Sequence, residues 1–330
     1  MSAGTLVVGT INSGASAPLV LESNNAAALT LDTSQNATFA GTAAMSSSFK
    51  RNRIINGNCA VDQRNAGAAQ TITAGAALAY TVDRFYAYCT GANVTGQQVA
   101  GATANQYRYQ FTGAASVTAI NFAQRIEALN CADLAGTTAT FSVDMANSLL
   151  TTVTWTAYYA NTTNTFGTLA SPTVTSISTG TFTVSSTVTR YNVQIAIPSA
   201  ATTGLQIVLS VGAQTSGTWT IGNVQLEAGS IATPYERQIY SDQLAQCQRY
   251  YQAGKFGQAG YILNSTAMFY QQSFAVEMRT APSMATSSVS STNLNSLALN
   301  PYSGQFQIYG VGASTAGAYY YGNFTASAEL

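Results

Sequence analysis

The stretch Gln106-Tyr107-Arg108-Tyr109-Gln110-Phe111 alternates strictly: Tyr107, Tyr109 and Phe111 share one face, and Gln106, Arg108 and Gln110 share the other. A period of two is that of a β-strand, and a strand apolar on one face only belongs to a sheet with one buried side. The pattern recurs at Thr140 to Met145, where Phe141, Val143 and Met145 oppose Thr140, Ser142 and Asp144. Further strands are predicted at Val153 to Tyr159, Val193 to Ile197, Leu205 to Val211 and Trp219 to Leu226. Turn-forming residues separate these runs at intervals too short for crossover helices, which predicts antiparallel pairing in a two-sheet sandwich or jelly roll.

Composition supports a mostly β class, since 27 Gly and 19 Tyr accompany β-branched residues throughout. Charge is scarce and balanced, twelve basic against twelve acidic side chains, 7% of the chain. Without a basic excess the phosphate-neutralising contribution that dominates nucleic-acid binding is missing, so no nucleic-acid partner is expected. No apolar run approaches the roughly 20 residues of a membrane span, and Met1-Ser2-Ala3-Gly4 lacks a charged leader, so a soluble, not conventionally secreted chain without membrane insertion is expected. At 330 residues the chain exceeds the roughly 250–300 at which one core stops growing, so several domains are predicted.

Residues 1–48 read as a stem with short β repeats. Leu19-Val20-Leu21-Glu22 recurs ten residues on as Leu29-Thr30-Leu31-Asp32, and Thr38-Phe39-Ala40-Gly41 follows at a similar step. So few large apolar side chains cannot close a core alone, so the segment needs a copy of itself or a partner. Residues 49–232 hold the jelly roll. Residues 233–253 are predicted as one short linking helix: Thr233 as N-cap, Pro234 at the first position and Glu236 closing a capping box, with a second start at Ser241-Asp242. Tyr240, Leu244, Cys247 and Tyr251 draw one apolar stripe, and Gly254 supplies the C-cap. Residues 254–330 form a small C-terminal β-sandwich tip, with strands at Ala267 to Met278, Gln305 to Tyr309 and Ala318 to Ala328 around a Ser/Thr/Asn-rich middle from Thr286 to Asn300.

The absence of His removes the commonest general base and zinc ligand. Cys59, Cys89, Cys131 and Cys247 show no metal-ligand spacing and read as buried free thiols, with a Cys59/Cys89 or Cys89/Cys131 bridge left open. Carboxylate chemistry would rest on Asp83, Glu127 and Asp144, but Asp83 beside Arg84 and Glu127 near Arg125 read as structural ion pairs. No nucleotide loop, nucleophile elbow or calcium loop is present, so neither catalytic residues, metal nor cofactor are assigned. The charges Glu227, Glu236 and Arg237 fall where strand becomes helix and read as structural.

Tyrosine is the side chain left to bind with, because its ring stacks on sugar faces while its hydroxyl hydrogen-bonds. Trp155, sharing a face with Val153, Ala157 and Tyr159, and Trp219 read as core anchors, whereas Tyr158 projects oppositely. Tyr319-Tyr320-Tyr321 cannot all point inward on a strand. With Tyr302 and Tyr158 they are the candidate glycan contacts.

Five motifs in order carry a family resemblance: Arg53 to Asn58 (RIINGN), Thr81 to Phe85 (TVDRF), Asp133 to Gly136 (DLAG) leading into Thr140 to Val143, Gln225 to Ser230 (QLEAGS) through Ala232-Thr233-Pro234, and Cys247 to Tyr251 (CQRYY). Together they resemble bacteriophage tail-fibre proteins bearing a jelly roll similar to carbohydrate-binding modules, over about Arg53 to Arg249. A looser match follows at Met278 to Pro282, and Ala326 to Leu330 is similar to the endings of such fibres. The resemblance implies a homotrimeric virion fibre, assembled in host cytoplasm, docked on other tail or baseplate proteins through its N-terminus and adhering to host polysaccharide or lipopolysaccharide. A spacer touching only virion proteins, and a fibre-borne depolymerase using Asp83, Glu127 or Asp144, are the alternatives.

Overall fold

The computed structural model describes residues 19–23, 26–31, 33, 37–39, 50–101 and 106–330. They form two compact units, Met1–Phe49 and Lys50–Leu330. In the first, β1 (Leu19–Ser23), β2 (Ala26–Leu31) and β3 (Ala37–Phe39) make one antiparallel sheet in that order. Leu29 pairs with Leu21 on one side and Phe39 on the other, so apolar residues of the successive repeats stand opposite one another. The rest of the expected stem, including residues 1–18, lies outside the described residues.

The second unit begins with twelve strands: β4 (Gln70–Ile72), β5 (Ala79–Tyr80), β6 (Phe85–Thr90), β7 (Val94–Ala100), β8 (Tyr107–Thr112), β9 (Ala119–Ile126), β10 (Thr138–Asn147), β11 (Thr152–Ala160), β12 (Val174–Thr183), β13 (Thr189–Ala196), β14 (Leu205–Val211) and β15 (Thr218–Ala228). They form two six-stranded antiparallel sheets, β13-β10-β15-β8-β7-β4 and β12-β11-β14-β9-β6-β5, which face each other as a jelly-roll sandwich. The expected alternation is what fills the space between them. Tyr109, Phe111, Phe141, Val143, Met145, Val153, Trp155 and Trp219 all enter one core. At its centre Phe111 stacks on Trp219 at 5.4 Å and Phe122 on Phe85 at 4.6 Å. Each such ring withdrawn from water contributes about 1.5–3 kcal/mol.

Segment 51–57 lies across β15 like a seam. Arg53 N donates to Leu226 O and Val224 N to Gly57 O, both at 2.8 Å. A Cβ at Gly57 would lie 2.0 Å from Val224 O, so this position accepts only glycine. Buried Asn56 donates to the Val61 and Asp83 carbonyls, tying the seam to the loop before β6.

The single α-helix among the described residues, α1 (Tyr240–Gln248), is shorter than expected and starts not at Thr233 but beside the second start, Ser241-Asp242. Thr233 caps nothing: its N–H and hydroxyl both donate to Glu227, at 2.9 and 2.6 Å. Glu236 closes no capping box either; its N–H donates to Gln225 and its carboxylate accepts from Asn52 N. Tertiary hydrogen bonds to β15 and the seam win over the local capping pattern and hold the chain extended to Ile239. The buried stripe is therefore Gln243, Cys247 and Tyr250, while Tyr240 is exposed and Leu244 only half-buried. Gly254 is not a C-cap, because Tyr251 already opens the next strand.

Beyond α1 come β16 (Tyr251–Ile262), β17 (Ala267–Ser273), β18 (Ser283–Thr292), β19 (Leu294–Pro301), β20 (Gln305–Gly312) and β21 (Ala316–Ser327). They build the small sandwich from two three-stranded sheets, β16-β21-β18 and β17-β20-β19. Its core is Phe256, Phe274, Met278, Phe306, Ile308, Tyr320 and Phe324. The Ser/Thr/Asn-rich middle forms the edge strands β18 and β19, whose outward positions carry small polar residues that leave little hydrophobic signal. Jelly roll, helix and small sandwich lie within the one unit Lys50–Leu330, so the expected boundaries at 232 and 253 fall inside a compact body.

Candidate functional site: an aromatic groove on the jelly roll

In β6, Phe85, Ala87 and Cys89 point to the core, which leaves Tyr86 and Tyr88 on the outer face. On the same face β9 presents Ala123 and Arg125, β14 presents Gln206 and Val208, and β11 presents Tyr158. Tyr86, Ala123 and Val208 are buried there and form a second apolar cluster with half-buried Tyr80, Tyr88 and Tyr158. A sheet surface facing solvent does not ordinarily bury a tyrosine. Here a wall of Phe166, Thr168, Leu169 and Pro172 rises beside it and makes a groove of about 320 Å³. Across Tyr88, Thr168 and Leu169 the groove adjoins a second depression of about 520 Å³, walled by Gly75, Ala76 and Ala77. The two volumes fall in the roughly 300–1,000 Å³ range of small-ligand clefts.

The floor is braced. Arg125 donates to Gln206 Oε1 at 3.2 Å, to Gly167 O at 3.1 Å and to Leu330 O at 2.6 Å. Its guanidinium also lies 5.2 Å from the Tyr86 ring and 5.3 Å from Phe166. One cation thus joins the groove wall to its floor and to the end of β21's tail. Tyr86 and Tyr88 rings run nearly parallel, 17° apart with centroids at 6.5 Å. Burial pushes both phenols above their ordinary pKa, and at Tyr88 the neighbouring Tyr158 adds to it, so they act as neutral donors and acceptors.

No Asp or Glu lines either depression. The acids singled out in the sequence are engaged elsewhere, and two with partners other than those expected. Asp83 does not pair with Arg84; it accepts from Gln63 N at 3.0 Å and from the Gln63 side chain, and burial raises its pKa to about 6. Glu127 pairs not with Arg125 but with Arg249 at 3.1 Å, and accepts the Tyr250 hydroxyl at 2.7 Å. Asp144 accepts from Arg190 at 2.9 Å and Asn223 at 2.7 Å. Glu227 holds Thr233 and lies 3.5 Å from Arg51. The four thiols are all free and buried, and burial raises Cys59 and Cys131 to about 12.

Of the five tyrosines singled out, Tyr158 alone lines the groove. Tyr302, Tyr319 and Tyr321 are exposed on the small sandwich, and the Tyr319 and Tyr321 rings stack at 6.0 Å. Tyr320 points inward, 1% exposed, its hydroxyl donating to Gln258 at 2.8 Å, so it is no ligand contact. Period-two alternation on β21 dictates that split. Tyr88, Gln206 and the 166–172 wall were missed. The signal at Tyr88 was present, since Phe85-Tyr86-Ala87-Tyr88-Cys89 places two tyrosines opposite an apolar face. The wall carried none, because a loop's approach to a distant sheet face leaves no periodicity.

No protein-family model matches the chain, and no curated protein does. Among solved structures it is similar over 53% of its length to a family 4 carbohydrate-binding module, with 17% identity, a TM-score of 0.34 and 98% of that chain covered. A putative sugar-binding protein of Bacteroides thetaiotaomicron matches over 54% of this chain and 100% of its own, with 14% identity and a TM-score of 0.34. The enzymatically active domain of tailspike protein 4 of bacteriophage CBA120 matches over 54% of this chain at 17% identity and a TM-score of 0.35, and the match spans only 22% of that tailspike chain.

Proposed function

We propose that the chain is an adhesive fibre protein of a phage virion, a homotrimer that holds a host-surface glycan without cleaving it, and that the jelly-roll groove is where the glycan lies. The observation that carries this reading is the groove itself, whose half-buried Tyr88 and Tyr158 rings and braced Gln206 amide stand in a lining that holds no Asp or Glu. Rings of this kind stack on the apolar faces of pyranoses, the phenols and the amide match sugar hydroxyls, and a carboxylate pair, which glycoside hydrolysis requires, is missing there. Exposed Tyr302, Tyr319 and Tyr321 serve in this reading as an accessory contact. Docking of the N-terminal stem on tail proteins and assembly in host cytoplasm follow from the family resemblance.

The test is a glycan array probed with the wild-type chain and the Tyr88→Ala/Tyr158→Ala double variant, alongside adsorption of both to host cells. A glycan signal lost in the double variant, at unchanged melting temperature, supports the assignment. Release of reducing ends from the bound polysaccharide would show catalysis and refute the non-catalytic part.

A further inference from the structure

On another side of the same unit, a cavity of about 340 Å³ is lined by Lys50, Asn52, Arg53, Ile55, Leu129, Asn130, Gln238, Gln246, Arg249 and Tyr250. Three cations meet there and no acid lines it, in a chain with only twelve Lys and Arg in all. Two of the three are partly neutralised from behind: Arg53 by Asp133 at 2.5 Å and Arg249 by Glu127 at 3.1 Å. Lys50 has no ion-pair partner among the described residues. The cavity therefore keeps a net positive charge.

Its remaining polar groups are amides rather than charges. Gln246 donates to Gln238 Oε1 at 2.9 Å, a bond that leaves the Gln238 amide N–H groups and the Gln246 carbonyl free to face a ligand. Asn130 reaches Tyr250 only at 3.4 Å, leaving its carbonyl free. Amides that offer donors and acceptors side by side suit vicinal hydroxyls, and a carboxylate suits the cationic end. We infer that this cavity is a second saccharide site, distinct from the aromatic groove, that takes an acidic sugar residue of the hexuronate class, its carboxylate on Lys50 and Arg53 and its hydroxyls on Asn130, Gln238 and Gln246.

The inference stands apart from the groove reading, and the test separates them. Calorimetric titrations compare trigalacturonate, neutral galactotriose and inorganic phosphate on the wild-type chain and on the Lys50→Glu, Arg53→Gln and Tyr158→Ala variants. Trigalacturonate is expected to bind the wild type and Tyr158→Ala alike, and to weaken about tenfold or more in Lys50→Glu and Arg53→Gln. Raising salt from about 0.05 to about 0.5 M should weaken it as well, since exposed charges are screened over that range. Unchanged melting of Lys50→Glu makes its loss one of ligand contact. No binding of trigalacturonate, or equal binding in Lys50→Glu, overturns the site. So does phosphate binding as tightly as the trisaccharide, which would leave an anion hole without sugar recognition. Binding lost in Tyr158→Ala instead would place the acid sugar in the groove and remove this cavity from the account.

Discussion

The Arg84 guanidinium lies over the Tyr250 ring, its central carbon 3.5 Å from the centroid. The same buried guanidinium pairs with Glu329, from the segment that follows β21, and donates to Arg125 O at 2.8 Å. Arg64 repeats the arrangement one residue on, 3.6 Å above Tyr251 and 3.1 Å from Glu329. Arg279 in turn donates to the Ala328 and Glu329 carbonyls. One carboxylate, two cations and two consecutive tyrosines thus clasp the small sandwich to the jelly roll. Arg84 sits at φ 74°, a left-handed conformation that costs roughly 1–2 kcal/mol for such a residue. Stacking on a desolvated ring, worth about 2 kcal/mol or more, offsets it.

Glu329→Ala leaves Arg84 buried without a counter-charge, and removing one member of a buried pair costs about 3–5 kcal/mol. A lower urea midpoint with an unchanged slope is expected. The double variant Arg84→Met/Glu329→Leu should recover part of the loss, since the fully buried cation is gone and only the more exposed Arg64 lacks Glu329; no difference between single and double variants would contradict the clasp.

Tyr158→Ala and Tyr88→Ala each remove a ring from the groove without entering the sandwich core. Each is expected to weaken glycan binding about tenfold, or roughly 1.4 kcal/mol. Affinity electrophoresis in the polysaccharide selected on the array reads this directly. Tyr320→Ala instead should lower the melting temperature, because its ring belongs to the core of the small sandwich.

Stability should depend on Asp83 between about pH 4 and pH 6. Burial raises its folded pKa to about 6 from an ordinary 3.8, so the folded state binds the proton more tightly than the unfolded chain does. Its contribution is then fully present below pH 3.8 and lost as pH rises through 6, by about 3 kcal/mol at 1.36 kcal/mol per unit. The difference in unfolding free energy between wild type and Asp83→Asn, measured from pH 3.5 to 8, should carry this slope. A flat difference would place the carboxyl in a better-solvated setting.

All four thiols are buried and free. A thiol reagent at pH 8 should label none in the folded chain and four in denaturant, without prior reduction. Fewer than four would reveal a disulfide.

Light scattering should give three times the 34.4 kDa of one chain for the intact fibre. A monomer mass would withdraw the homotrimer from the proposed function while leaving both saccharide sites testable.

How much of this was legible beforehand can be followed at particular residues. Strict alternation at Tyr107 to Phe111 and Phe141 to Met145 disclosed both the strands and their inward faces, and Trp155 and Trp219 are the core anchors it implied. The five family-like motifs were legible as a set, yet their roles were not. Asn56, Arg84, Glu227 and Tyr250 turn out to fasten seam, clasp and helix, and none of the four lines the groove. The capping box at Thr233 misled because its hydroxyl donates to Glu227, six residues back on a strand, instead of capping a helix.

Local chemistry fixed what repeats along the chain: side-chain period, turn spacing, the small number of ionisable groups and hence a neutral β-sandwich protein. The partners of those few charges were decided only by the fold, because Arg84 and Glu329 lie 245 positions apart and meet through chain closure. The groove has the same origin. Tyr88 and Tyr158 come together across two intervening strands, and the 166–172 loop walls them in, so the site exists only once this sheet has assembled with its twist.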